Sequence, residues 1–266
     1  MKFSIIVVCL NAGEKLTETV KSILRQSIKD YEIIIKDGGS KDGSIDKVKN
    51  VLSIKEALRV RFFVEKDKSI YDAMNQAVKK AKGDYYLFLN CGDFFFDETV
   101  LERTAKFIEK HDKESKLFYG DTFYQKTKTT VLAPKEITGF TCYRNIPCPQ
   151  SCFYQAALFE QKEYECDYKI RADYDHFLWC FYQADANPCY LEFTVSSYEG
   201  GGYSESRENE KRDKLEHKEI TGKYMSRKEL LRYRSFMIIT LQPLRKKIAE
   251  NPALSGIYEK IKGMLR

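Results

Sequence analysis

No apolar run in these 266 residues approaches the roughly 18 to 20 residues that a membrane-spanning helix needs, so a helical span is not expected. The opening segment MKFSIIVVCLNAGEKL sets one Lys before a short apolar run and then turns polar, with no small-residue cleavage site. It reads as a buried strand. No two of the eight cysteines form a CxxC pair, and most lie in apolar or aromatic stretches, which fits reduced thiols in a cytoplasmic setting. Cys142, Cys148 and Cys152 match no structural zinc spacing, and no His lies close to them in sequence. The stretch after the first apolar run, NAGEKLTE, lacks the GxGxxG of a dinucleotide oxidoreductase. It is also too poor in glycine for the basic, glycine-rich loop of a nucleotidyltransferase. Internal repeats and low-complexity segments are absent as well.

What is present begins with an uneven charge. Residues 223–266 hold eleven Lys/Arg against three Glu, whereas residues 1–222 sum to −2. Positive charge gathered in one terminal segment, rather than along a groove, argues against nucleic acid and for an anionic membrane surface. Leu230, Leu231, Phe236, Met237, Ile238, Ile239, Leu241 and Leu244 form an apolar patch there, flanked by Arg227, Lys228, Arg232, Arg234, Arg245, Lys246 and Lys247. The segment is predicted to be a basic amphipathic helical tail at the inner face of the cell membrane. The competing reading packs it on the rest of the chain or on a second subunit of a homo-oligomer.

The first hundred residues alternate strand and helix patterns, which predicts a parallel sheet with helices on its faces. FSIIVVCL, YEIIIKD, RVRFFVEKD and GDYYLFLNCGD are the expected strands. Asn11 with Glu14, and Ser69 with Asp72, have the spacing of capping boxes that open the first helix and the helix IYDAMNQAVKKAKG. After Phe94 the pattern becomes mixed: a helix from about Glu98 to Lys113, strand-like LFYGDTFYQ and TTVLAPK, a helix in DYDHFLWCFYQAD, and a strand PCYLEFTVSSYEGGGYS. Open parallel sheets bind ligands beyond the carboxyl ends of their strands, so Asn11, Asp37, Asp67 and Asp93 are the first candidates for a site.

The run SIIVVCLNAG, then QSIKDYEIIIKDGGSKDGS, then EKDKSIYDAMNQAVKKAKGDYYLFLNCGD resembles the nucleotide-binding half of family 2 glycosyltransferases, and ADYD at 172–175 and EGGGYS at 199–204 resemble that family's acceptor motif and glycine loop. The resemblance implies a GT-A fold, a Rossmann-like, mostly parallel sheet with a mixed acceptor-side half. It divides the chain into a nucleotide-sugar-binding half (1–97), an acceptor or catalytic half (98–222) and the tail (223–266). It implies an inverting transfer from a nucleotide-sugar, a UDP-sugar for preference, to a hydroxyl of a glycan or lipid-linked saccharide, of the kind used in surface polysaccharide biosynthesis. The alternative is an inactive subunit that scaffolds a membrane assembly.

By the same resemblance Asp37 accepts from uracil N3–H, and Asn11, Asp67 and Asn75 belong to the nucleotide side. Turn capping, an ordinary charged loop and a surface helix position are the competing readings for Asp37, Asp67 and Asn75. Asp93 implies a divalent cation, Mg²⁺ or Mn²⁺, since carboxylate and phosphate oxygens suit hard ions. The family's other acidic position after this strand is Gly92 here. The base that deprotonates the acceptor is Asp173, with Asp175 its rival and Ala172 standing where the family more often has Glu. Gln150, Gly201 and Gly202 are acceptor-side or loop candidates; His176 is expected to be a helix residue near the site.

Overall fold

The computed structural model describes residues 2–111, 113–200 and 209–239. The chain divides into two compact units, one ending at Ile220 and the other starting at Thr221. In order, the first half runs β1 (Phe3–Cys9), α1 (Glu14–Leu24), β2 (Tyr31–Asp37), α2 (Ser44–Val51), α3 (Ile54–Ala57), β3 (Val60–Val64), α4 (Ile70–Val78) and β4 (Tyr85–Phe88). Then come β5 (Phe94–Phe95), α5 (Val100–His111), β6 (Leu117–Tyr124), β7 (Thr129–Val131) and α6 (Gly139–Arg144). A 3₁₀ turn (Pro149–Ser151), β8 (Cys152–Gln155), α7 (Ala156–Gln161), α8 (Ala172–Tyr182) and β9 (Cys189–Tyr198) follow, and α9 (Glu210–Tyr224) and α10 (Arg227–Ile239) close the described chain.

The strands form one sheet in the order β3-β2-β1-β4-β8-β6-β9-β5, with β7 beside β6. From β3 to β4 every pairing is parallel, in register Phe3 to Tyr31 and Phe3 to Tyr85. All seven residues of β1 and of β2 are buried, as central strands covered on both faces must be, which explains their near-continuous Ile and Val. Beyond β4 the sheet turns mixed: β8 is antiparallel to β4 and β6, β9 runs parallel to β6, and β5 pairs antiparallel with β9. The α/β class and the mixed second half are therefore as the sequence pattern predicts.

On one face of the sheet the core runs from Phe3, Ile5 and Val7 through Leu16, Val20 and Ile23 to Phe118, Phe153 and Val195; Ile6, Ile34, Phe88, Tyr154 and Phe159 are buried outside that cluster. Two helix starts differ from expectation. Gly13, not Asn11, precedes α1 and offers no side-chain cap. Asn11 takes a left-handed φ of 51° and its Oδ1 accepts from Lys41 N at 2.9 Å, tying the β1 loop to the β2 loop instead. At α4, Ser69 caps Asp72 N as predicted, but the Asp72 carboxylate accepts from Lys68 N (2.8 Å) rather than from the cap residue.

In the second unit, Ser226 and Glu229 form a reciprocal cap at the start of α10. Leu231, Phe236, Ile238 and Ile239 are exposed on it. Four consecutive apolar residues, Phe236 to Ile239, wrap around a 3.6-residue helix instead of lining one side, so the described part of the tail is not the amphipathic stripe expected. Leu241 and Leu244 lie outside the described residues. No helix among the described residues is long and apolar enough to cross a membrane.

Candidate active site

The parallel strands end together, and the polar residues after β1, β2 and β4 meet at that edge. Asp37, the last residue of β2, is 2% exposed; its Oδ2 accepts from Ser40 N at 2.9 Å and its Oδ1 from Ser40 Oγ at 2.5 Å. Ser40 Oγ also accepts from Asn11 N at 2.7 Å, so the two loops brace one another. Beneath them lies a fully buried Lys36, whose Nζ donates to Asp67 Oδ2 (2.8 Å) and to Glu65 O (2.6 Å). A buried ammonium has to be paired, and Asp67 is the pair. A Cβ at Gly38 would stand 2.8 Å from the same Asp67 oxygen, which explains the glycine.

Asn75, placed on the nucleotide side by sequence, is turned elsewhere. Its Nδ2 donates to Tyr164 O and its Oδ1 accepts from Tyr164 N, both at 2.9 Å, so the buried carboxamide clamps α4 to the segment before α8.

Asp93 follows β4 and is 2% exposed. Its Oδ1 accepts from Glu199 N at 2.9 Å, while burial, with the nearby Glu199 carboxylate, pushes its pKa up to about 7. Glu199 itself, which the sequence reading passed over, is held by Lys15, whose Nζ lies 2.7 Å from both carboxylate oxygens. Gly92 between them has φ +99°, and a Cβ built there would fall 2.4 Å from Glu199 Oε2. The space of the missing acidic side chain is thus filled by a carboxylate arriving from the end of β9. Only the tertiary pairing of β9 could have revealed this.

Asp173 is the second residue of α8 and partly buried. Its Oδ1 accepts from Tyr174 N (2.8 Å) and Tyr71 Oη (3.2 Å), and burial raises its pKa to about 6. Asp175, by contrast, is 0% exposed and forms an ion pair with Lys162 at 2.5 Å. Two residues along the helix thus separate a carboxylate whose Oδ2 has no hydrogen-bond partner among the described residues from one committed to a buried pair. His176 is stacked on Phe159 at 4.2 Å and bonded through Nε2 to Lys162 O, and burial lowers its pKa to about 3. It is a core residue. Gln150 sits on the 3₁₀ turn, its Oε1 2.9 Å from Cys148 Sγ. Burial pushes the Cys148 thiol up to about 12. Gly201 and Gly202 lie outside the described residues; their neighbour Gly200 has φ +76°.

Residues 4–174 match the family described as Glycosyl transferase family 2. Over 204 residues the chain is 34% identical to a PGL/p-HBAD biosynthesis glycosyltransferase of Mycobacterium bovis (strain BCG / Pasteur 1173P2), which covers 76% of this chain and 78% of that protein. A glycosyltransferase of Rickettsia felis (strain ATCC VR-1525 / URRWXCal2) shares 34% identity over 126 residues, 47% of this chain and 19% of its own length. Among solved structures, S. aureus TarS 1-349 in complex with UDP superposes with a TM-score of 0.65 at 18% identity, over 83% of this chain and 64% of TarS 1-349. The mannosyltransferase PcManGT from Pyrobaculum calidifontis, in complex with GDP-Man and Mn²⁺, gives 0.64 at 13%, over 81% of this chain and 62% of its own. This chain spans less than two thirds of either structure, and at such identities they show the common GT-A fold. The family match and the mycobacterial relative carry the rest: the chain is a glycosyltransferase and belongs to glycosyl transferase family 2.

Proposed function

We propose that the chain is an inverting enzyme that moves a sugar from a nucleotide-sugar, a UDP-sugar for preference, to a hydroxyl of a glycan or lipid-linked saccharide. The observation that carries this reading is the pair of partly desolvated aspartates, Asp93 after β4 and Asp173 in the first turn of α8, each held through its Oδ1. One is placed for the donor's phosphates and the other for the acceptor's hydroxyl. A single inverting displacement needs one base: Asp173 takes the hydroxyl proton as the oxygen attacks the anomeric carbon and the nucleoside diphosphate leaves. Its Oδ2 has no hydrogen-bond partner among the described residues and is the oxygen that accepts.

In this reading Asp37, an acceptor-only group oriented by Ser40, takes an N–H donor of the nucleobase. Among the described residues no cluster of three or more His, Cys, Asp or Glu is arranged to enclose a metal. The donor set nevertheless fits one divalent cation, Mg²⁺ or Mn²⁺, held by Asp93 with Glu199 beside it and otherwise by phosphate and water oxygens. Such a cation would offset the charge that makes Asp93 reluctant to ionise, and it would stabilise the departing diphosphate. Solved neighbours of the same fold carry UDP, UDP-GlcNAc, or GDP-Man with Mn²⁺, which supports a nucleotide-sugar donor. Asp37, Asp93 and Asp173 are all retained, which favours an active enzyme over a scaffold subunit.

The basic tail supports work at an anionic cytoplasmic membrane surface, where a lipid-linked acceptor is held. The test is hydrolysis of a panel of nucleotide-sugars with and without Mn²⁺, since an active transferase leaks some donor to water. Release of nucleoside diphosphate from one donor, abolished by chelator, is the expected result. Inertness toward every donor, or full activity in excess chelator, would overturn the reading.

A further inference from the structure

The loop that delivers Asp173 is held from outside by one face of α9. Asp213, Glu216 and Glu219 recur every three residues, so they stand in a row on that helix. Asp213 takes Arg171 bidentately, with Nε at 2.7 Å and the second nitrogen at 2.9 Å. Glu219 accepts from Tyr168 Oη at 3.0 Å. Glu216, 6% exposed, does more: Oε1 accepts from Lys169 N at 2.9 Å, and Oε2 from Ile170 N at 3.0 Å and Arg171 N at 2.9 Å. Arg212 Nε, at 3.0 Å from Oε1, supplies its counter-charge.

These three N–H groups lie immediately before α8, whose cap residue Arg171 has no side-chain cap of its own. A helix start normally recruits a side chain from its own first turn; here the acceptor comes from a helix some forty residues later in the chain. On the opposite side Tyr71 Oη lies 2.6 Å from Ile170 O and 3.2 Å from Asp173 Oδ1. Ile170 is therefore held at both its N–H and its C=O by side chains, three residues ahead of the base.

We propose that Glu216 is a positioning residue for transfer, acting through the 169–171 backbone to fix where the Asp173 carboxylate meets the acceptor. This rests on Asp173 being the base. The groups facing Asp173 are Tyr71 from α4, Tyr154 and Cys152 from β8, Tyr164 before α8, Cys148 on the 3₁₀ turn and Arg171 in its own loop. Burial moves each of these tyrosines and cysteines upward, away from the acid range. Asp93, pushed up to about 7, shares the acid limb of transfer, so Asp173 is read from the shift that Glu216→Gln produces in that limb.

The experiment compares Glu216→Gln, Tyr71→Phe and their double variant in the full chain, with melting temperature, donor KM, kcat and the pH profile of transfer as readouts. Glu216→Gln keeps the volume but turns an amide donor toward backbone donors. It is expected to lower kcat about 10- to 100-fold with donor KM unchanged. Its acid limb is expected to move to lower pH as water reaches Asp173. The double variant should lose less than the product of the single losses, because both residues act through Ile170. A wild-type kcat and pH profile in folded Glu216→Gln overturns the proposal, as does a loss explained wholly by unfolding or by donor KM. Asp173→Asn separates the two readings: if it retains transfer, the base assignment has failed whatever Glu216 does.

Discussion

The proposed donor and acceptor sides of the site hold their carboxylates by different means. On the donor side Asp37 is oriented by Ser40, three residues away, with the β1 loop braced against it through Asn11. On the acceptor side Asp173 depends on Tyr71 from α4 and on a loop pinned by Asp213 and Glu216 of α9, about forty residues later. The donor side is a local device of turn chemistry at a sheet edge, which any chain with the right strand-loop pattern can build. The acceptor side is a tertiary device. Substitutions should accordingly fail differently: donor-side changes cost binding and leave the fold intact, whereas acceptor-side changes reach the chemistry or the stability through neighbours.

The largest effect is expected at Asp173. Asp173→Asn should lower kcat by roughly 10² to 10⁴ with donor affinity nearly unchanged, because a base acts in the transition state. In the unaltered enzyme transfer should rise with pH through about 6 to 7 and then level, as Asp173 and Asp93, both raised by burial, give up their protons. A rate independent of pH from 5 to 8 would contradict that role. Asp93→Asn should cost at least about a hundredfold and should remove the stimulation by divalent cations, with an unchanged circular dichroism spectrum. Unaltered cation dependence in that variant would move the cation elsewhere.

Asp175→Asn sharpens the comparison, because it changes a carboxylate only two residues from Asp173. It breaks the buried pair with Lys162, and a loss on the order of 3 kcal/mol in stability is expected, with kcat of the folded fraction largely kept. Denaturant titration and active-site counting separate the two. His176 adds a pH signature. Its folded pKa is lowered from 6.5 to about 3, so its contribution is complete above pH 6.5 and is lost as pH falls toward 3. The slope is up to about 1.4 kcal/mol per pH unit. Melting curves of His176→Phe should be flatter over that window.

The smallest effect concerns the tail. A chain ending near Gly222 should still hydrolyse its donor but should no longer sediment with anionic liposomes at low salt. Equal sedimentation of both forms would remove the tail from membrane binding.

Legibility followed the same division. The four parallel strands, the turn at Asp37 and the aspartate after β4 were readable because buried runs and capping residues encode them within a few positions. Asn11 and Asn75 were read incompletely, since a polar side chain near a helix start does not declare whether it will cap that helix or bond a distant loop. Asp173 and Asp175 could not be separated by spacing alone. The separation comes from Lys162, which approaches one of them and not the other. Strand β8, inserted between β4 and β6, was missed because CFYQ is too short for its alternation to stand out.

Gly92 and Glu199 have a consequence for descent. A side chain at 92 would have to adopt φ +99° and would push the Glu199 carboxylate away from Lys15, so a second acidic residue is regained there only at a cost. A smaller residue at 199 lowers that cost; it releases Lys15, while the backbone N–H at 199 still holds Asp93. Two positions more than a hundred residues apart are thereby coupled, and lineages with a side chain at 92 should more often carry a smaller residue at 199.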